Sequence, residues 1–318
     1  MRPELGWGAA SGCAGAQRGL HQTPPKGAGI VGSVACLSEM TGKTRTGRPA
    51  DDSLSPASLE VAFVRAFLGG DVNGGQPRRE DRQKLAELRP FLLEAARHLP
   101  RKRAKSQLVV VDAASGKAAL GVFLSALVLQ PLGVNHRVVA IDSDASRRAL
   151  CDAAAAALGV SACVEFQSQA VGDAAWPEAP ALVVGLHACG AASDAIIDQC
   201  IRTHAQRLLL VPCCYGQGAA SHRQLPATGE PPGQRAVARL AELVPLPRAA
   251  PMARRFAQVV IEAERVLRLE AAGYHTEVVE LFAPTVSPHH LLLRARAVGE
   301  PVRKAQAQAQ HAQLLRTG

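Results

Sequence analysis

The sequence predicts a doubly wound α/β sheet, mostly parallel, with an antiparallel hairpin at its C-terminal end and a small helical segment before it. Three observations carry that expectation. Short β-branched apolar runs alternate with helical stretches, small or polar residues follow the runs, and the last two runs are too close for a crossover. The central run lies in LVVVDAASGKAALG, residues 108–121. One leucine and three valines read as a strand buried on both faces, ending at Asp112. Ala113, Ala114, Ser115, Gly116 and Lys117 form a small-residue turn, and an uncharged helix runs from Ala118 to about Leu129. Small residues at the carboxyl end of a strand let a ligand approach the backbone. With a single glycine, however, the turn matches neither GxGxxG nor the P-loop pattern.

Residues 1–52 are rich in Gly, Ala, Thr and Pro without a sustained period, and are expected to be disordered. A helical segment occupies 53–104. Ser55-Pro56 supplies its N-cap and first helical position, and Gly69-Gly70 stops its first helix. Leu85, Leu88, Leu92, Ala95 and Leu99 stripe a second helix, bent at Pro90. The main domain spans 105–298. After the central unit, strands are expected at Arg137–Asp142, Ala162–Phe166, Ala181–Leu186 and Arg207–Val211. Ser193 or Asp194 caps the helix after the fourth strand, and Gly216–Gly233 is a long loop. Helices at Gln234–Leu243 and Met252–Ala272 precede the hairpin His275–Phe282 and His290–Ala297. Residues 299–318 read as a frayed or disordered tail.

The formal charge of +9 concentrates at the ends: residues 1–50 hold +4 and 301–318 hold +3, leaving +2 for 51–300. Charge alone therefore does not establish nucleic-acid binding by the main domain. Eight cysteines without a short secreted framework, and no leader-like start, point to a reducing cytoplasm. No stretch is expected to cross a membrane.

Asp142, ending the second strand, suits the hydroxyl pair of a ribose, and adenine would lie near Gln167–Gln169. Both a nicotinamide dinucleotide and S-adenosylmethionine (SAM) fit this layout. The terminal hairpin favours SAM.

Four segments, VVVDAASGKAALGVFL, GLHACGAASDAIID, LLVPCCYG and APTVSPHHLLLRAR, resemble the Rossmann-like class I methyltransferase-domain family. Relatives include the methyltransferase half of glutathione-S-transferase-C-terminal-domain-containing proteins and, more distantly, tRNA 2′-O-ribose methyltransferases. The resemblance implies SAM as methyl donor, with Asp112, Ala114, Ser115, Gly116 and Lys117 around its methionine part. It also implies that Asp142 holds its ribose, while the sheet layout puts Gln167 by the adenine. Ala114 and Ala118 stand where many relatives have glycine, two methyl groups that would crowd the donor.

His187, Cys189, Cys213, Cys214 and Tyr215 fall at the ends of the fourth and fifth strands, beside the expected methyl group. His187, Cys213 and Tyr215 are candidate catalytic residues that orient an acceptor, with His187 as base or donor. Asp194 either caps its helix or reaches a substrate proton. A zinc site from His187, Cys189, Cys213 or Cys214 and His222 is disfavoured, because adjacent cysteines lack structural zinc spacing. RNA is the acceptor class to consider first. The opposing reading is a non-catalytic Rossmann-fold binding protein that has lost SAM.

Overall fold

The computed structural model describes residues 52–69, 76–99, 107–213, 232–243 and 250–316. The N-terminal extension before residue 52, Cys214, Tyr215, His222 and most of the Gly216–Gly233 loop lie outside them.

Two helices come first, α1 (Pro56–Phe67) and α2 (Arg79–His98). The alternating unit follows as β1 (Leu108–Ala113), α3 (Ala119–Phe123), β2 (His136–Asp142), α4 (Arg147–Ala157) and β3 (Val164–Ser168). It continues through β4 (Leu182–Ala188), α5 (Ala191–Arg202), β5 (Arg207–Pro212), α6 (Pro232–Leu243) and α7 (Ala250–Ala271). The chain closes with β6 (Tyr274–Glu280), β7 (Leu291–Ala297) and α8 (Pro301–Leu315).

Seven strands form one sheet in the order β3-β2-β1-β4-β5-β7-β6. Strands β1 to β5 pair in parallel, and β7 runs against both β5 and β6. The expected doubly wound sheet with an antiparallel hairpin is therefore present. Alternate residues separate the two faces, as a pleated strand requires. Val110, Val138 and Val184 pack with α1 to α4, whereas Val111, Val139 and Val183 pack with α5 on the other side. The first helical pair belongs to this core. Phe63 and Phe67 of α1 meet Phe123 edge-on at 6.4 and 5.8 Å, geometry that adds about 0.5–1.5 kcal/mol per aromatic pair beyond burial.

Three expectations change. The uncharged helix after the first turn is α-helical only over Ala119–Phe123 and continues as a π-helix over Leu124–Leu129. The widened turn is accompanied by a Ser125 Oγ contact to His136 Nε2 at 2.8 Å, which ties it to β2. His187 lies inside β4, not beyond it, because that strand extends through Ala188 past an irregularity at 186–188. Residues 301–315, expected to be frayed, form a docked helix. His311 Nε2 stands 2.9 Å from the fully buried Glu264, and Gln308 Nε2 donates to the Ala271 carbonyl.

Gly121 sits where α3 crosses the sheet. A Cβ there would meet Asp112 Oδ2 at 2.9 Å and Val138 Cγ1 at 3.1 Å. Gly121→Ala is therefore expected to lower unfolding free energy by about 1–3 kcal/mol in a urea titration, since the buried Asp112 and Val138 side chains must shift.

Candidate active site

The turn after β1 is built from left-handed backbone. Ala114, Gly116 and Ala118 have φ of 55°, 56° and 58°. The turn is latched to β2: the Ser115 N–H donates to the Ile141 carbonyl, and the Gly116 N–H donates to Asp142 Oδ2 at 2.8 Å. Asp142 Oδ1 accepts the Asp144 N–H at 3.0 Å. A carboxylate has about four acceptor positions, so two backbone donors leave room for a ribose hydroxyl pair. Gln167 lies on β3 opposite Ile141, one residue from the Asp142–Ser168 pair.

Two features fit a ligand here. Ser115 Oγ and Gln167 Oε1 are buried and have no hydrogen-bond partner among the described residues. Leaving such an atom unsatisfied costs about 1–3 kcal/mol, which a polar ligand would offset. The space over Gly116 is also open, with no atom within 4 Å of a built Cβ. The expected crowding by Ala118 does not arise, because that residue is fully buried in the core below. Ala114 is half-buried and packs against the core of the opposite face.

Asp112 departs from its expected position. It is 1% exposed, and its Oδ2 accepts the Gly121 N–H at 2.8 Å. The carboxylate thus holds the turn from beneath instead of lining its open face. Burial pushes its pKa up to about 7, against the Gly121 hydrogen bond, and the neighbouring Asp142 adds to the rise. Lys117 is exposed and borders a cavity of about 60 Å³ with Phe63, Phe67, Asp81 and Lys84. Burial first, then Lys117, holds the Lys84 amine below the usual lysine range.

His187 stands at the same sheet edge, on the far side of β1 from Asp142. Two strand spacings put the backbones of these tips about 10 Å apart. His187 is in left-handed backbone, φ 61°, at the irregularity in β4. Non-glycine residues held so inside a strand cluster at working sites. Its Nε2 lies 2.8 Å from Oε2 of Glu87 in α2, and its ring meets that of His289 at 6.4 Å, edge to face. The thiols of Cys213 and Cys189 both donate to its carbonyl oxygen. Glu87 and the segment Ser287–His290 were not expected here. Antiparallel β7 explains the second: its first residues align with the carboxyl end of β5. Burial alone would raise the Glu87 carboxyl, but hydrogen bonds from His187, Ser287 and Gln83 hold it below its usual range. Burial and the adjacent His187 keep the His289 imidazole below the ordinary histidine range.

Asp194 does not cap α5. The N-cap is Gly190, and the Ser193 hydroxyl donates to the Ala188 carbonyl. The Asp194 carboxylate is held by Arg265 at 2.9 Å and Arg268 at 2.5 Å, guanidinium groups packed on it from α7. Those ion pairs keep it below the usual carboxylate range despite burial. It is a structural anchor between α5 and α7, and the expected contact with a substrate proton is corrected accordingly. Tyr215 lies outside the described residues. Among them, no group of three or more metal-binding side chains is found, and no helix is long and apolar enough to cross a membrane.

Three measurements check these assignments. Because the folded-state pKa of Asp112 is raised from 3.8 to about 7, its contribution to stability is lost as pH rises through that window. The stability of Asp112→Asn relative to wild type should therefore climb by about 1.4 kcal/mol per pH unit from pH 4 to 7 and level off above. Asp194→Asn should lose about 3–5 kcal/mol in the same urea titrations, as when a buried ion pair is broken. Its affinity for SAM, by calorimetry, should match that of the wild type.

Residues 83–220 match the family model described as a methyltransferase domain. A glutathione S-transferase C-terminal domain-containing protein of Homo sapiens is 28% identical over 128 residues, 37% of this chain and 19% of that protein. The Macaca fascicularis protein of the same description matches equally. The chain thus aligns with about a fifth of these curated relatives. Among solved structures, geranyl diphosphate methyltransferase in complex with SAM has a TM-score of 0.42 at 14% identity, covering 73% of this chain and 94% of that one. An rRNA methylase from Streptococcus thermophilus has a TM-score of 0.39 at 11% identity, covering 67% and 96%. Over residues 83–220 the chain thus resembles methyltransferase domains.

Proposed function

We propose that this protein transfers a methyl group from SAM to an acceptor held over the tips of β4 and β5, beside His187. The observation that carries the reading is the shared sheet edge. Asp142, Ser115, Gly116 and Gln167 form one cradle at the tips of β1 to β3, and His187 with Cys213 stands next to it. When bound, SAM supplies a methyl group on a cationic sulfur. The chain's own residues bind, orient and receive a proton. Asp142 offers its remaining lone pairs to the ribose, and Ser115 and Gln167 offer their unpartnered oxygens to polar groups of the donor. Methyl transfer is an in-line displacement, so holding the acceptor in line with the sulfur supplies much of the rate.

RNA is the proposed acceptor, and a cytoplasmic location belongs to the same reading. Its support is the distribution of charge: +4 over residues 1–50 and +3 over 301–318, flanking a domain of nearly balanced charge.

Calorimetry tests the donor. The wild type is expected to bind SAM at micromolar Kd. Asp142→Ala should weaken it by about ten- to a hundredfold, as for loss of hydrogen bonds to a charged group. Absence of SAM binding by the wild type would favour the non-catalytic binding module. Methylated-nucleoside profiles of total RNA test the acceptor: a modification missing from cells that lack the gene is expected, and identical profiles would reject RNA.

A further inference from the structure

We infer that Glu87 is the positioning residue for His187, and that the acceptor is a group with a proton to lose, a hydroxyl or an N–H. The inference rests on the methyltransferase reading and adds to it a proton path. Glu87 is 7% exposed, on the face of α2 that packs against the sheet. Its Oε2 lies 2.8 Å from His187 Nε2, and Ser287 and Gln83 also hydrogen-bond to the carboxylate. An ionised carboxylate accepts only, so Nε2 must carry the proton and Nδ1 must be bare while the imidazole is neutral. Nδ1 has no hydrogen-bond partner among the described residues, and the side chain is 31% exposed at the sheet edge. A buried acid orienting a partly exposed imidazole is the arrangement of a general base.

The groups facing this pair come from every neighbouring element: Glu87 from α2, Cys189 and Cys213 beyond β4 and β5, and Ser287, His289 and His290 before β7. Lys84, one turn earlier on α2, is also coupled electrostatically to Glu87. The step balances. A lone pair on the acceptor oxygen or nitrogen forms the new bond to the methyl carbon. The methyl–sulfur bond breaks with its pair left on sulfur, and the acceptor proton passes to His187 Nδ1. An acceptor lacking that proton, such as a thioether, would make the arrangement idle.

The test uses the full chain labelled with ¹⁵N-histidine, tritium-labelled SAM, and RNA, protein and small-molecule fractions of cell extract. The His187 resonances should report Nε2 protonated and Nδ1 bare. Glu87→Gln should mix the two tautomers, and Glu87→Asp should restore the wild-type pattern in part. Because general bases contribute about 10²–10⁴-fold, His187→Asn should cut incorporation by at least a hundredfold. Asparagine tolerates the left-handed backbone found there. Glu87→Gln should cut it by at least tenfold, both variants keeping SAM Kd within about threefold. The wild-type rate should fall on acidification, and the residual rate of His187→Asn should not. A proton on Nδ1, or wild-type incorporation by Glu87→Gln, overturns the inference. So does label found only on a thioether or tertiary nitrogen, which leaves the methyltransferase reading standing. Absence of SAM binding or of label in every fraction overturns both.

Discussion

Everything at the ligand edge depends on one contact beneath it, the Gly121 N–H on the sealed carboxylate of Asp112. That bond brings α3 against β1 and β2 so closely that only a hydrogen fits on the Gly121 Cα. The turn between them has little freedom left. It must bulge outward through left-handed residues, and in doing so it turns the Gly116 N–H toward Asp142. Burying a carboxylate so deeply is costly, and the elevated pKa of Asp112 records that cost. The same group that strains the core thus shapes the cradle above it.

A second layer of control comes from α2. Glu94, 3% exposed, reaches Arg294 of β7 at 2.9 Å, while Glu87, two turns earlier on the same helix, reaches His187 of β4. Seven residues span about two helical turns, so both acids lie on one face. The helix therefore registers the antiparallel end of the sheet against its parallel centre. His187 is aligned by a rigid element, not by the loop that follows its strand.

Much of this was legible in the residues themselves. Continuous valine-rich runs, buried on both faces, announced β1, β2 and β4, and the short link before Leu291 announced the reversal of β7. Asp142 ends β2 as the sequence indicated, and its carboxylate accepts the Gly116 and Asp144 N–H groups of the turns beside it. What escaped notice obeyed long-range geometry. Glu87 sits on a helical stripe read as apolar, where Leu85 and Leu88 flank it, and nothing local distinguishes it from a solvent-facing acid. Asp194 invited a capping assignment because it begins a helix, yet its partners Arg265 and Arg268 lie more than 70 residues away. The π-helix was hidden for a similar reason, since Ser125 engages His136 only after the sheet has formed.

The early helices also bear on where the working unit begins. By sequence they read as a small helical segment before the sheet. In the folded chain the second of these helices provides the acid that fixes the imidazole. A protein trimmed to start at its central valine strand would lose much of the core on one face of the sheet and, with Glu87, the acid that stands beside His187.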